Sequence, residues 1–103
     1  MVRRLPPHQH FRLKLMIWER DGHQCQSPLE PPICVGKPYI SFKDCDMDHI
    51  RAGKQGTNDY DNLRILCPIC HALRDDGYHV NRLMEMLEAG RMPVGWHLYK
   101  WDG

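Results

Sequence analysis

Five cysteines and seven histidines stand in a chain of 103 residues. No other feature limits the fold as much. A chain of this size buries roughly two-thirds of its unfolded surface, which makes a modest core. A metal staple is one way for such a small core to hold. Cys67-Pro-Ile-Cys70 is a C-x-x-C whose tight turn brings two sulfurs to one point. A structural zinc takes four such ligands in a tetrahedron, so a second pair is needed.

The second pair comes from Cys25, Cys34 and Cys45. Cys25 and Cys34 flank a proline-rich loop able to close as an enlarged knuckle. Cys45 falls inside a strand candidate, four residues before His49. The assignment is zinc on Cys25, Cys34, Cys67 and Cys70, with Cys45 a small buried residue. Cys45 in place of Cys25 or Cys34 is the alternative. An odd cysteine count argues against a full set of disulfides. A thiol-redox site would follow a βαβ pattern, which is missing. Cys67-Pro-Ile-Cys70-His71 also matches c-type haem attachment, a chemistry that needs export. After Met1-Val2-Arg3-Arg4, prolines, His8, His10, Arg12 and Lys14 interrupt any apolar run, so a secretory signal is not expected. Nor does any run approach the ~20 apolar residues of a membrane span. A cytoplasmic location with reduced thiols is expected.

Length and composition predict one domain over residues 1–103, with 42% hydrophobic and 26% charged residues. A helix is predicted over residues 8–21, with Phe11, Leu15 and Trp18 on one face, widened by Leu13, Met16 and Ile17, and with Gly22 as its stop. Residues 23–38 read as loop and 39–50 as extended chain. Residues 53–61 have loop composition, and Leu63-Arg64-Ile65-Leu66 reads as a short strand. Pro68 suits the first position of a helix running to about Arg74. A last helix covers Asn81 to Ala89, with Leu83, Met84 and Leu87 apolar, followed by an aromatic tail. The core is thus expected at about 23–76, and the last helix and tail at about 79–103. Net charge is only +1, so composition alone does not announce a nucleic-acid binder. Charge is uneven, however. Arg3, Arg4, Arg12, Lys14 and Arg20 face only Glu19 and Asp21 in the first 24 residues. Such a segment suits phosphate contact, although a solvated helix face explains it as well.

Asp48-His49-Ile50 ends the first strand candidate, Asn62 follows His49 by thirteen residues, and His71 follows Asn62 by nine. Phosphodiester hydrolysis near neutral pH needs a deprotonated water and something to stabilise charge on the leaving oxygen. A histidine, with an ordinary pKa near 6.5, suits the first task. A metal ion suits the second. Asp48 offers a hard oxygen and His71 an imidazole nitrogen. The ordered set Asp48-His49-Ile50, a Gly-containing loop, Asn62-Leu63 and Leu66-Cys-Pro-Ile-Cys-His71 resembles the HNH endonuclease family in its zinc-ribbon form. Trp18-Glu-Arg-Asp-Gly-His-Gln-Cys25 resembles that family's lead-in helix and first cysteine, so the likeness covers roughly residues 10–75.

The resemblance implies an α+β fold: a small ββα-metal (His-Me finger) core with flanking helices, stapled by the four-cysteine zinc. It implies a DNA endonuclease, nicking or cutting both strands. His49 is the expected general base. Asp48 and His71 hold a catalytic Mg²⁺ or Mn²⁺, and zinc is structural. Asn62 holds the loop and the His49 backbone, since an amide is neither acid nor base. Arg74 stands where the family often has Lys and is expected to grip phosphate. Asp75 suits an extra ligand by spacing, but an exposed carboxylate is the expectation. Adjacent strand residues face opposite ways, so a bend is needed for Asp48 and His49 to share a site. His8, His10, His23, His79 and His97 receive no role. The partners expected are DNA, no membrane, and a second copy for double-strand cleavage. Two features depart from the family pattern: eight residues separate Cys25 from Cys34 rather than two, and no proline follows Asp48-His49-Ile50. The competing reading is a zinc-ribbon module that binds nucleic acid without cutting.

Overall fold

The computed structural model describes residues 5–53 and 56–102. Arg3 and Arg4 of the basic segment lie outside the described residues. Helix α1 spans Pro7–Arg20, with Pro7 in the first turn, where its missing N–H costs nothing. Gly22 stops it in the left-handed region at φ +67°, and the His23 N–H closes onto the Trp18 carbonyl at 3.0 Å. The buried face differs from the sequence expectation. Ile17 is fully buried and Leu13 and Trp18 pack partly, whereas Phe11, Leu15 and Met16 stay exposed. Leu13 and Ile17 are one turn apart and meet the core, while Phe11 meets Phe42 edge-on at 5.1 Å.

The strands are β1 (Asp46–His49) and β2 (Leu63–Leu66). They pair antiparallel, with Asp46 opposite Leu66, Asp48 opposite Arg64 and His49 opposite Leu63. The extended stretch is therefore shorter than residues 39–50, because Phe42–Asp44 turns as a 3₁₀ helix before β1. On β2, Leu63, Ile65 and Leu66 are fully buried. The outer edge of β2 is tied to the end of α1. Asp21 Oδ2 accepts from the Ile65 N–H at 2.9 Å, and the Gln26 N–H reaches the Ile65 carbonyl at 2.9 Å. Arg20 donates to the carbonyls of Tyr60 (2.7 Å) and Leu63 (2.5 Å), so this cation is spent inside the fold.

Helix α2 (Pro68–Ala72) follows β2 at once, and α3 (Val80–Glu88), whose Met86 is buried, packs on it. Five residues make little more than one turn, too short to hold as a helix alone. The tail fixes it. Trp101 is buried, its Nε1–H donates to the Cys70 carbonyl at 2.8 Å, and its backbone bridges Leu73 to Asp75. Among the described residues, no helix is long and apolar enough to cross a membrane.

Candidate metal centre and active site

The residues around α2 form two clusters. Cys25, Cys34, Cys67 and Cys70 are all buried, with their sulfurs within 4.8 Å of one another. In a regular tetrahedron of zinc–sulfur bonds the sulfurs stand about 3.8 Å apart, so one ion fits this set. The long Cys25–Cys34 loop closes as expected of a knuckle. Lys37 Nζ staples the carbonyls of Ser27 and Leu29, and Ser27 Oγ–H points at Cys70 Sγ at 3.1 Å. The Cys70 N–H points at Cys67 Sγ at 3.4 Å. These donors favour thiolate. Hydrogen bonds from Cys67 and Cys70 hold Cys25 far below a normal thiol; hydrogen bonding to Cys25 in turn pushes Cys67 up to about 12, and hydrogen bonds to Cys25 and Cys67 raise Cys70. Cys45 stays apart, buried, its thiol on the Phe42 carbonyl.

The second cluster brings together Asp48, His71 and His79. Asp48 is fully buried. Burial alone would raise its pKa, but hydrogen bonds from His71 and His79 and the charges of His71 and Arg74 hold it well below the carboxylate range. His71 Nε2 lies 3.4 Å and His79 Nε2 3.2 Å from Asp48 Oδ1. On their other nitrogens, His71 meets Asp46 Oδ2 at 2.8 Å and His79 meets Asp76 Oδ1 at 2.6 Å. Arg82, from α3, clamps both oxygens of Asp46 at 2.9 and 3.1 Å. Burial works against charge on His71, yet the Asp46 and Asp48 carboxylates keep its pKa raised.

His49 is not in that cluster. It sits at the last position of β1, next in the chain to Asp48, where the strand gives way to the loop. Its Nε2 bonds Asn58 Oδ1 at 2.8 Å. An amide oxygen only accepts, so Nε2 carries the hydrogen and Nδ1 keeps its lone pair. Asn62 closes the loop between the strands. Its Oδ1 accepts from the Arg51 N–H at 2.8 Å, and its Nδ2 donates to the carbonyls of Arg51 (3.1 Å) and Thr57 (2.8 Å). The side chain grips Arg51 rather than the His49 backbone.

The expectation for Arg74 needs correction. Arg74 is only 4% exposed and points inward. It donates to Asp48 Oδ1 (3.0 Å), the His49 carbonyl (2.7 Å) and the Ile50 carbonyl (3.1 Å), so it braces β1 and has no free face for phosphate. Its position just past the end of α2 turns it back over the sheet. Asp75 lies beyond α2, mostly exposed, 3.7 Å from Lys100 and outside the cluster, as an exposed carboxylate would be. His79, Asp46, Asn58, Arg64 and Arg82 escaped the sequence reading. The one local signal was Asp76, three residues before His79, a spacing that lets the carboxylate reach the ring.

Residues 32–77 match the family model of the HNH endonucleases. This segment of the chain is similar to an HNH endonuclease domain. The match takes in Cys34, both strands, Asn62 and α2, so the sheet, loop and helix above are the core of the HNH fold. Cys25 and His79 lie outside it, and each completes a cluster whose other members lie within. No curated protein and no solved structure matches the chain.

Proposed function

We propose that this chain is a metal-dependent DNA endonuclease, with structural zinc on Cys25, Cys34, Cys67 and Cys70. The observation that carries the reading is the buried Asp48 carboxylate facing the His71 imidazole, one residue from a histidine held by Asn58 through Nε2. The donor set fits a divalent cation. Asp48 offers a carboxylate oxygen, His71 an Nε2 turned toward it, and two protein ligands leave positions open for water and phosphate. A bound cation supplies Lewis-acid stabilisation of charge on the leaving oxygen.

The chain's own groups do the rest. His49 Nδ1 takes the proton of the attacking water, and Asn58 holds the ring by its Nε2–H during that transfer. Asn62 keeps the loop closed so that His49 stays at the strand end. Arg64 and Arg74 keep the Asp48 carboxylate charged and aimed. Asp46, Asp48 and Asp76 are balanced by Arg64, Arg74 and Arg82. The site is therefore close to neutral before a cation binds, and the cation brings net positive charge for phosphate. One site cuts one strand at a time, so a double-strand break takes a second copy or a second visit.

The test incubates supercoiled plasmid with the zinc-loaded protein and Mg²⁺ or Mn²⁺, beside His49→Ala. Nicked or linear product from wild type alone is expected. Intact plasmid under every metal tried, or equal cutting by His49→Ala, leaves the non-cutting nucleic-acid module as the reading.

A further inference from the structure

The Asp48–His71 pair does not stand alone, and the third group comes from beyond the segment that matches the family. We propose that His79 is a third ligand of the catalytic cation, making a site of two imidazoles and one carboxylate that selects a nitrogen-preferring ion (Mn²⁺, Co²⁺, Ni²⁺ or Zn²⁺) over Mg²⁺. This rests on the metal site proposed above and adds a ligand and a selectivity to it.

Three observations carry it. The first is separation. Nε2 of His71 and Nε2 of His79 stand 3.4 and 3.2 Å from the same Asp48 oxygen. Two ligands on one ion with bonds of about 2.1 Å lie about 3.0 Å apart at octahedral angles and about 3.4 Å at tetrahedral angles. The two distances fall in that interval. The second is orientation. Each ring turns its Nδ1 to its own carboxylate, Asp46 for His71 and Asp76 for His79. Such a carboxylate accepts the Nδ1 hydrogen, so that each Nε2 is the nitrogen free to give its lone pair to a cation when one binds, as in metal-bound histidines generally. The third is support. His79 is 7% exposed and sits just before α3, and its Asp76 is fixed by accepting the Tyr78 N–H at 2.9 Å. Imidazole suits the later transition ions, whereas Mg²⁺ prefers oxygen and keeps its waters.

The experiment uses the full chain with its cysteine site filled by one equivalent of zinc. Calorimetry then measures Mn²⁺ and Mg²⁺ binding to wild type, His71→Ala, His79→Ala and Asp76→Ala. Wild type is expected to bind Mn²⁺ well above Mg²⁺. His79→Ala should lose Mn²⁺ affinity by at least about 10-fold, and Asp76→Ala by roughly 10-fold, with Mg²⁺ binding little changed. Should His79→Ala fail to fold, wild type alone decides. Two-bond ¹H–¹⁵N spectra on adding a second zinc equivalent should move the Nε2 signals of both His71 and His79. Loss of binding in His71→Ala with His79→Ala unchanged, or movement of the His71 signal alone, removes His79 and leaves the two-ligand site standing. No second ion bound by wild type removes both.

Discussion

Replacing Arg74 by Met separates two roles for this side chain. If Arg74 gripped phosphate, the variant would keep its stability and lose substrate affinity. The structure requires the opposite. Its guanidinium is buried and shared among Asp48 and the carbonyls of His49 and Ile50, at 2.7 to 3.3 Å. Removing one partner of a buried ion pair costs roughly 3–5 kcal/mol. Arg64 still faces Asp48 at 2.7 Å, which pulls the value to the low end. The two orphaned carbonyls add about 1 kcal/mol each, and the methionine stem recovers some of the packing. The net expectation is about 3 kcal/mol, or roughly 12–24 °C in Tm for a chain of this size.

Urea unfolding of the zinc-loaded proteins measures it, with Asp48→Asn and the double variant completing a cycle. A coupling energy of at least about 1 kcal/mol between positions 48 and 74 is expected. Arg74→Met within about 1 kcal/mol of wild type, with cleavage showing only a raised KM, would refute the bracing role.

Three further outcomes follow from single contacts. Gly36→Ala would place its Cβ 2.6 Å from Cys25 Cβ and 3.1 Å from Cys67 Cβ. Neither neighbour has a flexible end to move, so zinc stoichiometry by elemental analysis should fall and stability should drop by about 1–3 kcal/mol. Asn58→Leu removes the acceptor for His49 Nε2. Cleavage kcat should fall roughly 10–100-fold, while Mn²⁺ affinity by calorimetry stays at the wild-type value. Trp101→Ala opens a cavity over α2 and orphans the Cys70 carbonyl. A loss of about 3 kcal/mol in chemical unfolding is expected, and a loss under about 1 kcal/mol would show that the tail does not hold the helix.

What the sequence disclosed and what it hid divide along a physical line. Local signals sufficed for β2, for Pro68 opening α2, and for Gly22 stopping α1. The cysteine set was legible because four sulfurs in a small chain have few other uses. Contacts between distant segments were not legible. Arg74 read as a surface cation because nothing near it in the chain says that Asp48, 26 residues earlier, lies beneath it. His79 carries no local signal of this contact for the same reason: its partner Asp48 is 31 residues away. In α1 the apolar residues span too wide an arc to say which edge is covered, and the sheet chose the Leu13–Ile17 edge.

The two clusters are also less separate than their chemistry suggests. Cys70 and His71 are consecutive on a five-residue helix, so a shift in one sulfur moves the adjacent imidazole. A helix this short has no stiffness of its own. Its orientation is set from outside, by the cysteine cluster at its start and by Trp101 on the Cys70 carbonyl. Holding His71 against Asp48 to within a few tenths of an ångström is therefore a task for the cysteines as much as for the sheet. Losing the ion from the cysteine cluster should then weaken binding at Asp48 and His71 well before the chain unfolds as a whole, because the structure that aims His71 is the structure that the cysteines hold.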